Sequence, residues 1–166
     1  MANKEFSISL STNELIYDID NKAYLTGRSR KDIASIEAVA SMQSCDLEED
    51  RNQILRSILN ASNQLQLAVS DYVKQPEYTE GQSFSSDLEE EERITITFCV
   101  PSNFKFSNRE VIANIAHKYI VNKTLAEWFI ITNKADAAEY DAMATNNIEA
   151  LRIALNQRVR PNRSTM

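Results

Sequence analysis

Apolar residues recur every three to four positions along most of this chain. That spacing is typical of helices that bury one face, so it predicts a mainly helical protein. The first half contains three such patterns, and we expect their helices to cover residues 11–27, 29–45 and 46 to a point before the proline at position 76. Ser11 and Glu14 have the spacing of a capping box at the start of the first helix, and Gly27 is placed to end it.

Two longer helices are predicted in the second half. The first begins at Ser107, whose spacing from Glu110 again fits a capping box, and runs to about Thr132. Asn133 then ends this helix and caps the next, with Asp136 in the reciprocal position. Helices joined by so short a turn should lie antiparallel, so we expect a C-terminal helix hairpin. The apolar face of its second helix consists of Ala137, Tyr140, Ala144, Ile148, Leu151 and Leu155.

Residues 93–100 alternate and are rich in β-branched side chains, which predicts a β-strand that ends at Pro101. A strand needs backbone partners along its edges. The partner is either residues 6–10 of the same chain or a strand of another subunit. The predicted fold class is therefore mainly α: a helical bundle with a long C-terminal antiparallel helix hairpin and one or two short β-strands, in a single domain over residues 1–166.

Charge is distributed unevenly along the chain. Residues 77–92 contain seven acids and no base, and this acidic loop, residues 76–93, ends in the run Glu89, Glu90, Glu91 and Glu92. The last ten residues, 157–166, contain three arginines and no acid. Pro161 stops a helix there, which predicts a flexible basic C-terminal arm. Opposed charges of this kind suit head-to-tail contact between copies, although a solvated loop and a frayed terminus would have the same composition.

The amino-acid composition argues against several classes of function. With only two glycines and a net charge of −6, the chain lacks both a glycine-rich phosphate loop and the basic footprint of a general DNA-binding protein. No segment is apolar enough to span a bilayer and no signal peptide is visible, so we expect synthesis in a cytoplasm. His117 is the only histidine, and one histidine with Cys45 and Cys99 does not make a zinc site. We expect no catalytic set, no metal and no cofactor.

Two aromatic residues near the end of the fourth helix, Trp128 and Phe129, could line a binding site. Their position beside Leu125 and Ile131 instead favours a role as core anchors of the hairpin.

The second half resembles the head–tail connector, or neck adaptor, proteins of tailed bacteriophages. The resemblance lies in a strand followed by two long helices and a basic, proline-containing tail, over roughly the last 75 residues. The segments that carry it are residues 94–101, 116–121, 125–132, 137–140 and 158–163.

This resemblance implies a virion structural protein without enzymatic activity, assembled in the host cytoplasm. It implies a homo-oligomeric ring, typically of twelve copies, that binds the portal protein on one side and the tail or a second neck protein on the other. Genomic DNA would pass through the channel without specific binding, and no membrane would be involved. The residues that would contact partners are Arg158, Arg160, Pro161 and Arg163 in the arm and Glu89, Glu90, Glu91 and Glu92 in the acidic loop.

Two other hypotheses remain open at the level of sequence. The chain could be a small cytoplasmic regulator whose helical bundle binds a protein or nucleic acid. In that case the basic group Arg28, Arg30 and Lys31 should lie on one surface with the C-terminal arginines. An enzyme that uses His117 or Cys99 is a weaker third hypothesis.

Overall fold

The computed structural model describes residues 3–30, 35–43, 48–74 and 92–160, and its fold is mainly α with a two-stranded antiparallel sheet, as predicted. Along the described chain the elements are β1 (Lys4–Ser11), α1 (Thr12–Ser29), α2 (Ile36–Met42), α3 (Glu48–Ala68), β2 (Arg93–Val100), a 3₁₀ turn (Phe106–Asn108), α4 (Arg109–Thr132) and α5 (Lys134–Asn156). Every one of these helices and strands contributes side chains to a single buried apolar cluster.

Helices α4 and α5 form the predicted hairpin. The side chain of Asn133 accepts a hydrogen bond from the backbone N–H of Asp136 at 3.3 Å, which caps α5 as expected. Beside this turn the rings of Phe129 and Tyr140 stack with centroids 5.7 Å apart. At the far end Asn108, which precedes α4, donates to the carbonyl of Ala154 near the end of α5. The start of one helix therefore meets the end of the other, so the pair is antiparallel.

The partner of the predicted strand belongs to the same chain. β1 pairs with β2 in an antiparallel register that runs from Lys4 opposite Val100 to Ser11 opposite Arg93. The other edge of β2 is also occupied, because the N–H of Cys99 donates to the carbonyl of Tyr72 at 2.7 Å and the N–H of Lys74 donates to the carbonyl of Thr97 at 2.8 Å. The segment after α3 thus covers the second edge of β2.

The predicted helix boundaries in the first half need correction. α1 continues through Gly27 to Ser29 because this glycine serves close packing and does not end the helix. A Cβ at Gly27 would lie 3.1 Å from Cγ of Gln43 and 3.3 Å from the carbonyl oxygen of Val39 in α2. α2 is shorter than predicted and is capped by Ser35, whose side chain accepts from the N–H of Ala38.

The third predicted helix and both capping boxes also differ from the structure. α3 ends at Ala68, because the chain then turns to run along β2. The side chain of Ser11 makes no capping hydrogen bond, since Ser11 is also the last residue of β1. Ser107 lies in the 3₁₀ turn, and Asn108 occupies the N-cap position of α4 without a capping bond. Its amide is used instead to hold the end of α5.

Candidate functional site

The basic C-terminal arm is attached at its base to the chain that precedes α4. After α5 ends at Asn156, the N–H of Val159 donates to the carbonyl of Asn103 at 2.8 Å, and the N–H of Lys105 donates to the carbonyl of Gln157 at 3.3 Å. Asn108 adds a hydrogen bond from its side-chain amide to Oε1 of Gln157 at 2.8 Å. Residues 157–159 are therefore attached to the folded body, and the part of the arm beyond Pro161, which is predicted to be flexible, lies outside the described residues.

Arg158 does not point away from the body as a docking residue would. Its guanidinium donates to the carbonyl of Leu155 at 2.6 Å and to the carbonyl of Gln157 at 3.2 Å. The last carbonyls of a helix have no partner within the helix, and a nearby cation satisfies them. Val159 and Arg160 are exposed, and Arg160 makes no ion pair with any described residue. The predicted contacts Pro161 and Arg163 lie outside the described residues.

The acidic loop is described only where it joins the sheet. Glu89, Glu90 and Glu91 lie outside the described residues. Glu92 is exposed, and its backbone carbonyl accepts from the N–H of Thr12 at the start of α1, at 3.2 Å.

The two basic groups of the chain are far apart. Arg30 forms an ion pair with Asp136 beside the α4–α5 turn, whereas Arg158 lies at the opposite end of the hairpin. The 24 residues of α4 separate the two ends by about 36 Å. The geometry therefore does not bring Arg30 together with Arg158, although the regulator hypothesis expects the two basic groups on one surface.

The last two turns of α4 present an exposed apolar ridge, which we call the α4 ridge and define as Ile130 and Ile131. Ile130 is 59% exposed and Ile131 is 88% exposed. Phe129, which precedes them, is fully buried, which confirms its predicted core role. α4 carries more apolar residues than one buried face can hold, and this excess was the signal available in the sequence.

One side of the α4 ridge borders a cleft between α2, α3 and α4, which we call the α2–α3–α4 cleft. It encloses about 470 Å³. Trp128 forms one wall, and its indole N–H donates to the carbonyl of Met42 at 3.0 Å, which fixes the ring. Trp128 is thus only partly in the core, and its ring faces a concave surface. The described residues that line this cleft are Ala40, Ser41, Gln43, Asp50, Gln53, Ile54, Ser57, Thr124, Glu127, Trp128, Ile131 and Thr132.

Three properties of the α2–α3–α4 cleft matter for binding. Thr124 is 1% exposed, yet its Oγ1 has no hydrogen-bond partner among the described residues. The hydroxyl oxygen of Thr132 is also buried and also has no hydrogen-bond partner among the described residues. The charged side chains that line the cleft in the described chain, Asp50 and Glu127, are both acidic. A buried hydroxyl without a partner is energetically unfavourable. The cleft therefore offers apolar contact, unused hydrogen-bonding capacity and negative charge.

The other side of the α4 ridge borders a groove between α4 and α5, where Lys123 donates to Asp141 at 2.7 Å. This hydrogen bond raises the pKa of Lys123 above its ordinary value. Burial raises the pKa of the neighbouring Tyr119 hydroxyl. Lys134 and Glu127 also line this groove, so its two lysines balance its two acids and it offers less net charge to a ligand than the α2–α3–α4 cleft.

His117 lies in a shallow groove between α1 and α4, where its Nε2 is 2.8 Å from Oδ2 of Asp18. This agrees with the prediction of a histidine whose polar atoms are satisfied. The described residues that line the groove include no serine, cysteine or lysine that could act with it as a nucleophile. Nearby, Lys22 donates to Oδ1 of the buried Asn122 at 3.3 Å, and burial lowers the pKa of Lys22 below its ordinary value.

Within residues 3–30, 35–43, 48–74 and 92–160, no group of three or more His, Cys, Asp or Glu side chains is placed to hold a metal ion. Among the same residues, no helix has the length and hydropathy needed to cross a membrane. No family model, no curated protein and no solved structure matches this chain.

Proposed function

We propose that this protein is a structural component of a tailed-phage particle, a head–tail connector that assembles as a ring between the portal protein and the tail. The observation that carries this proposal is the placement of two surfaces of opposite charge towards opposite ends of the α4–α5 hairpin. The exposed base of the basic arm, at Val159 and Arg160, lies at one end of the α4–α5 hairpin. The acidic and apolar α2–α3–α4 cleft lies towards the other end.

Two different surfaces that complement each other on the same molecule favour head-to-tail contact between copies. Such contacts are heterologous, and they close into a ring when the rotation between neighbouring copies permits it. A ring uses both surfaces of every copy, each with a different neighbour. The separation of the basic and acidic surfaces therefore suits a subunit with two neighbours.

Exposed aliphatic side chains add to this argument. Leu67 on α3 and Ile153 on α5 are largely in contact with solvent, in addition to Ile130 and Ile131 of the α4 ridge. Single exposed apolar residues are ordinary, but adjacent ones on a helix mark contact surfaces. A ring subunit has two neighbours, and a connector also has a partner above and below it, so several such surfaces are expected on it.

The partners follow from the resemblance in the second half of the chain. They are the portal protein, the tail or a second neck protein, and further copies of this chain, twelve in the ring as is typical of such connectors. The acidic loop, including Glu89, Glu90, Glu91 and Glu92, would face a neighbouring subunit or the DNA passage. There its negative charge would keep genomic DNA from binding as it passes.

Quantitative mass spectrometry on purified particles tests the proposal. We expect this protein in the particles at a fixed low copy number, comparable with that of the portal protein. Particles that lack the protein, while it is abundant in the cytosol of the host, would contradict the proposal. No observation on the described residues specifically favours the regulator or enzyme hypotheses.

A further inference from the structure

We propose that the α2–α3–α4 cleft is the socket for the basic C-terminal segment, residues 159–163, of a second copy of this chain. The inference rests on the proposed ring and names the contact that would link one subunit to the next. Nothing in the sequence pattern singled out this cleft.

The chemistry of the cleft selects a cationic segment with apolar parts. Glu127 lines it, and only one of this carboxylate's oxygens, Oε1, accepts a hydrogen bond from a described residue, Asn60 Nδ2 at 2.8 Å. The ring of Trp128 provides a face on which a guanidinium can stack. The buried hydroxyl of Thr124, in the wall of the cleft, has no hydrogen-bond partner among the described residues. An arginine next to valine and proline meets all three of these features.

The C-terminal segment is the part of this chain that fits that description. After Glu149 the sequence contains no acid and four arginines, and residues 159–163 read Val-Arg-Pro-Asn-Arg. Val159 and Arg160 are exposed where the described chain ends. Proline restricts the backbone, so less conformational entropy is lost when such a segment binds.

The segment cannot reach the cleft of its own chain. Val159 is held to Asn103, before the start of α4, and Arg163 lies four residues further, within about 14 Å. Glu127 lies about 28 Å along the α4 axis from Asn108. An arginine side chain does not bridge that difference. The contact must therefore be made between two copies, and in the proposed ring each copy would give its segment to one neighbour and receive the segment of the other.

Trp128 makes the proposal directly measurable because it is the only tryptophan in the sequence and lines the cleft. The probe is a synthetic peptide of residues 157–166, which contains no aromatic residue. Titrated into the dilute full-length protein, it should cause a saturable change in Trp128 emission. The affinity should fall as salt is added. The same peptide with glutamine at positions 158, 160 and 163 should bind at least about tenfold more weakly, because charge-assisted hydrogen bonds are lost.

Two variants locate the binding site. Glu127→Gln keeps the shape of the side chain and an acceptor for Asn60, and it should weaken peptide binding by about tenfold. Glu149→Gln, at an exposed position of α5 outside the cleft, is the matched control and should leave the affinity unchanged. Thr124→Val removes the unpaired hydroxyl without changing the volume much. It should keep or raise the thermal stability of the protein and still weaken binding.

The possible outcomes distinguish a failure of the proposed contact in the cleft from a failure of the proposed ring. The socket is disproved if no binding is seen up to about 1 mM peptide, the range of very weak association, or if Trp128 emission changes equally in wild type and Glu127→Gln. If particles contain the protein at portal-like copy number in either case, the proposed function stands without this socket. Absence of the protein from particles overturns the proposed function whatever the peptide does.

Discussion

Arg30, the residue that follows α1, forms an ion pair through its guanidinium with the carboxylate of Asp136 in the first turn of α5. Arg30 Nη2 donates to Oδ1, and Arg30 Nε donates to Oδ2 at 3.4 Å. Asp136 is 3% exposed and also accepts from the side-chain amide of Asn133. One carboxylate thus joins the end of α1 to the turn between α4 and α5. The hydrogen bond and the charge of Asp136 raise the pKa of Arg30 above its ordinary value.

Removing the Asp136 carboxylate should destabilise the fold. In Asp136→Ala the partner of Arg30 and an acceptor for Asn133 are both lost, so we expect the free energy of unfolding to fall by about 2–3 kcal/mol. The matched control is Asp141→Ala, because Asp141 pairs with Lys123 at a more exposed position. That change should lower the free energy by less than about 1 kcal/mol. Denaturant unfolding of both variants measures the difference, and equal losses would show that the Arg30–Asp136 pair does not anchor the turn.

The α4–α5 hairpin was predictable because the sequence patterns that indicate it involve residues close together in the chain. Asn133 and Asp136 are three residues apart, and the apolar face of α5 repeats at helical spacing over more than five turns. The Arg30–Asp136 pair was not predictable in the same way, since its partners are 106 residues apart in sequence. Gly27 illustrates a different reason why a prediction from sequence failed. Its sequence context fits a helix end, but the residue is required by contact with α2, and only the tertiary structure reveals that contact.

The candidate binding surface was harder to predict than the fold. The sequence placed partner binding in the charged segments, and of those residues the structure describes Arg158, Arg160 and Glu92. Arg158 caps its own helix. The α2–α3–α4 cleft depends on residues from three helices that are spread from Ala40 to Thr132 along the sequence, and its unpaired hydroxyl at Thr124 carries no sequence signal. The apolar excess of α4 was visible, but the helical period does not tell which residues of such a helix remain exposed.

The short segment after α3 should behave as a third strand of the sheet. The N–H groups of Lys74 and Cys99 bond across to β2 and to Tyr72 respectively, so both amides should exchange with solvent slowly in hydrogen–deuterium exchange. Lys74→Pro removes one of these donors, and Lys74→Ala keeps it. Both changes remove the contact of the lysine Nζ with Glu5, so the comparison isolates the backbone bond. We expect the proline variant to be less stable by about 1 kcal/mol or more. Equal stability of the two variants would contradict the strand pairing.

Packing of α2 against α1 should depend on the absence of a side chain at Gly27. Gly27→Ala gains about 1 kcal/mol of helix propensity, which the close contact with the Val39 carbonyl oxygen should offset, so little net change is expected. Gly27→Leu should displace α2 and lower the free energy of unfolding by about 1–3 kcal/mol through overpacking. Since the indole of Trp128 bonds to Met42 at the end of α2, the emission of Trp128 should shift as well. The control Asn21→Leu, at an exposed position of α1, should leave that emission unchanged, and a shift there would disprove the assignment.

The stability of the protein in alkaline solution should depend on Lys22. Burial is the main cause that lowers its pKa below 10.5, and Lys118 acts in the same direction, while the charge of Asp18 opposes both. Below the lowered pKa, Lys22 is protonated in the folded and unfolded states, so the cost of burying its charge is present in full. Between that pKa and 10.5 the unfolded chain binds more protons than the folded one, and the free energy of unfolding therefore rises with pH through this range.

Two substitutions of Lys22 test this sign. Lys22→Met removes the charge, and Lys22→Arg keeps it at every accessible pH. Both lose the contact of the lysine Nζ with Asn122, which gives an offset that does not vary with pH. The free energy of unfolding of Lys22→Met should exceed that of wild type by most at neutral pH, and this advantage should disappear as the pH approaches 10.5. Lys22→Arg should fall progressively behind wild type over the same range, because wild-type Lys22 can release its proton and the arginine cannot. Denaturant unfolding of the three proteins at neutral pH and near pH 10.5 measures both trends. Stability differences that are constant with pH would show that Lys22 carries its proton in the folded state as readily as in the unfolded state.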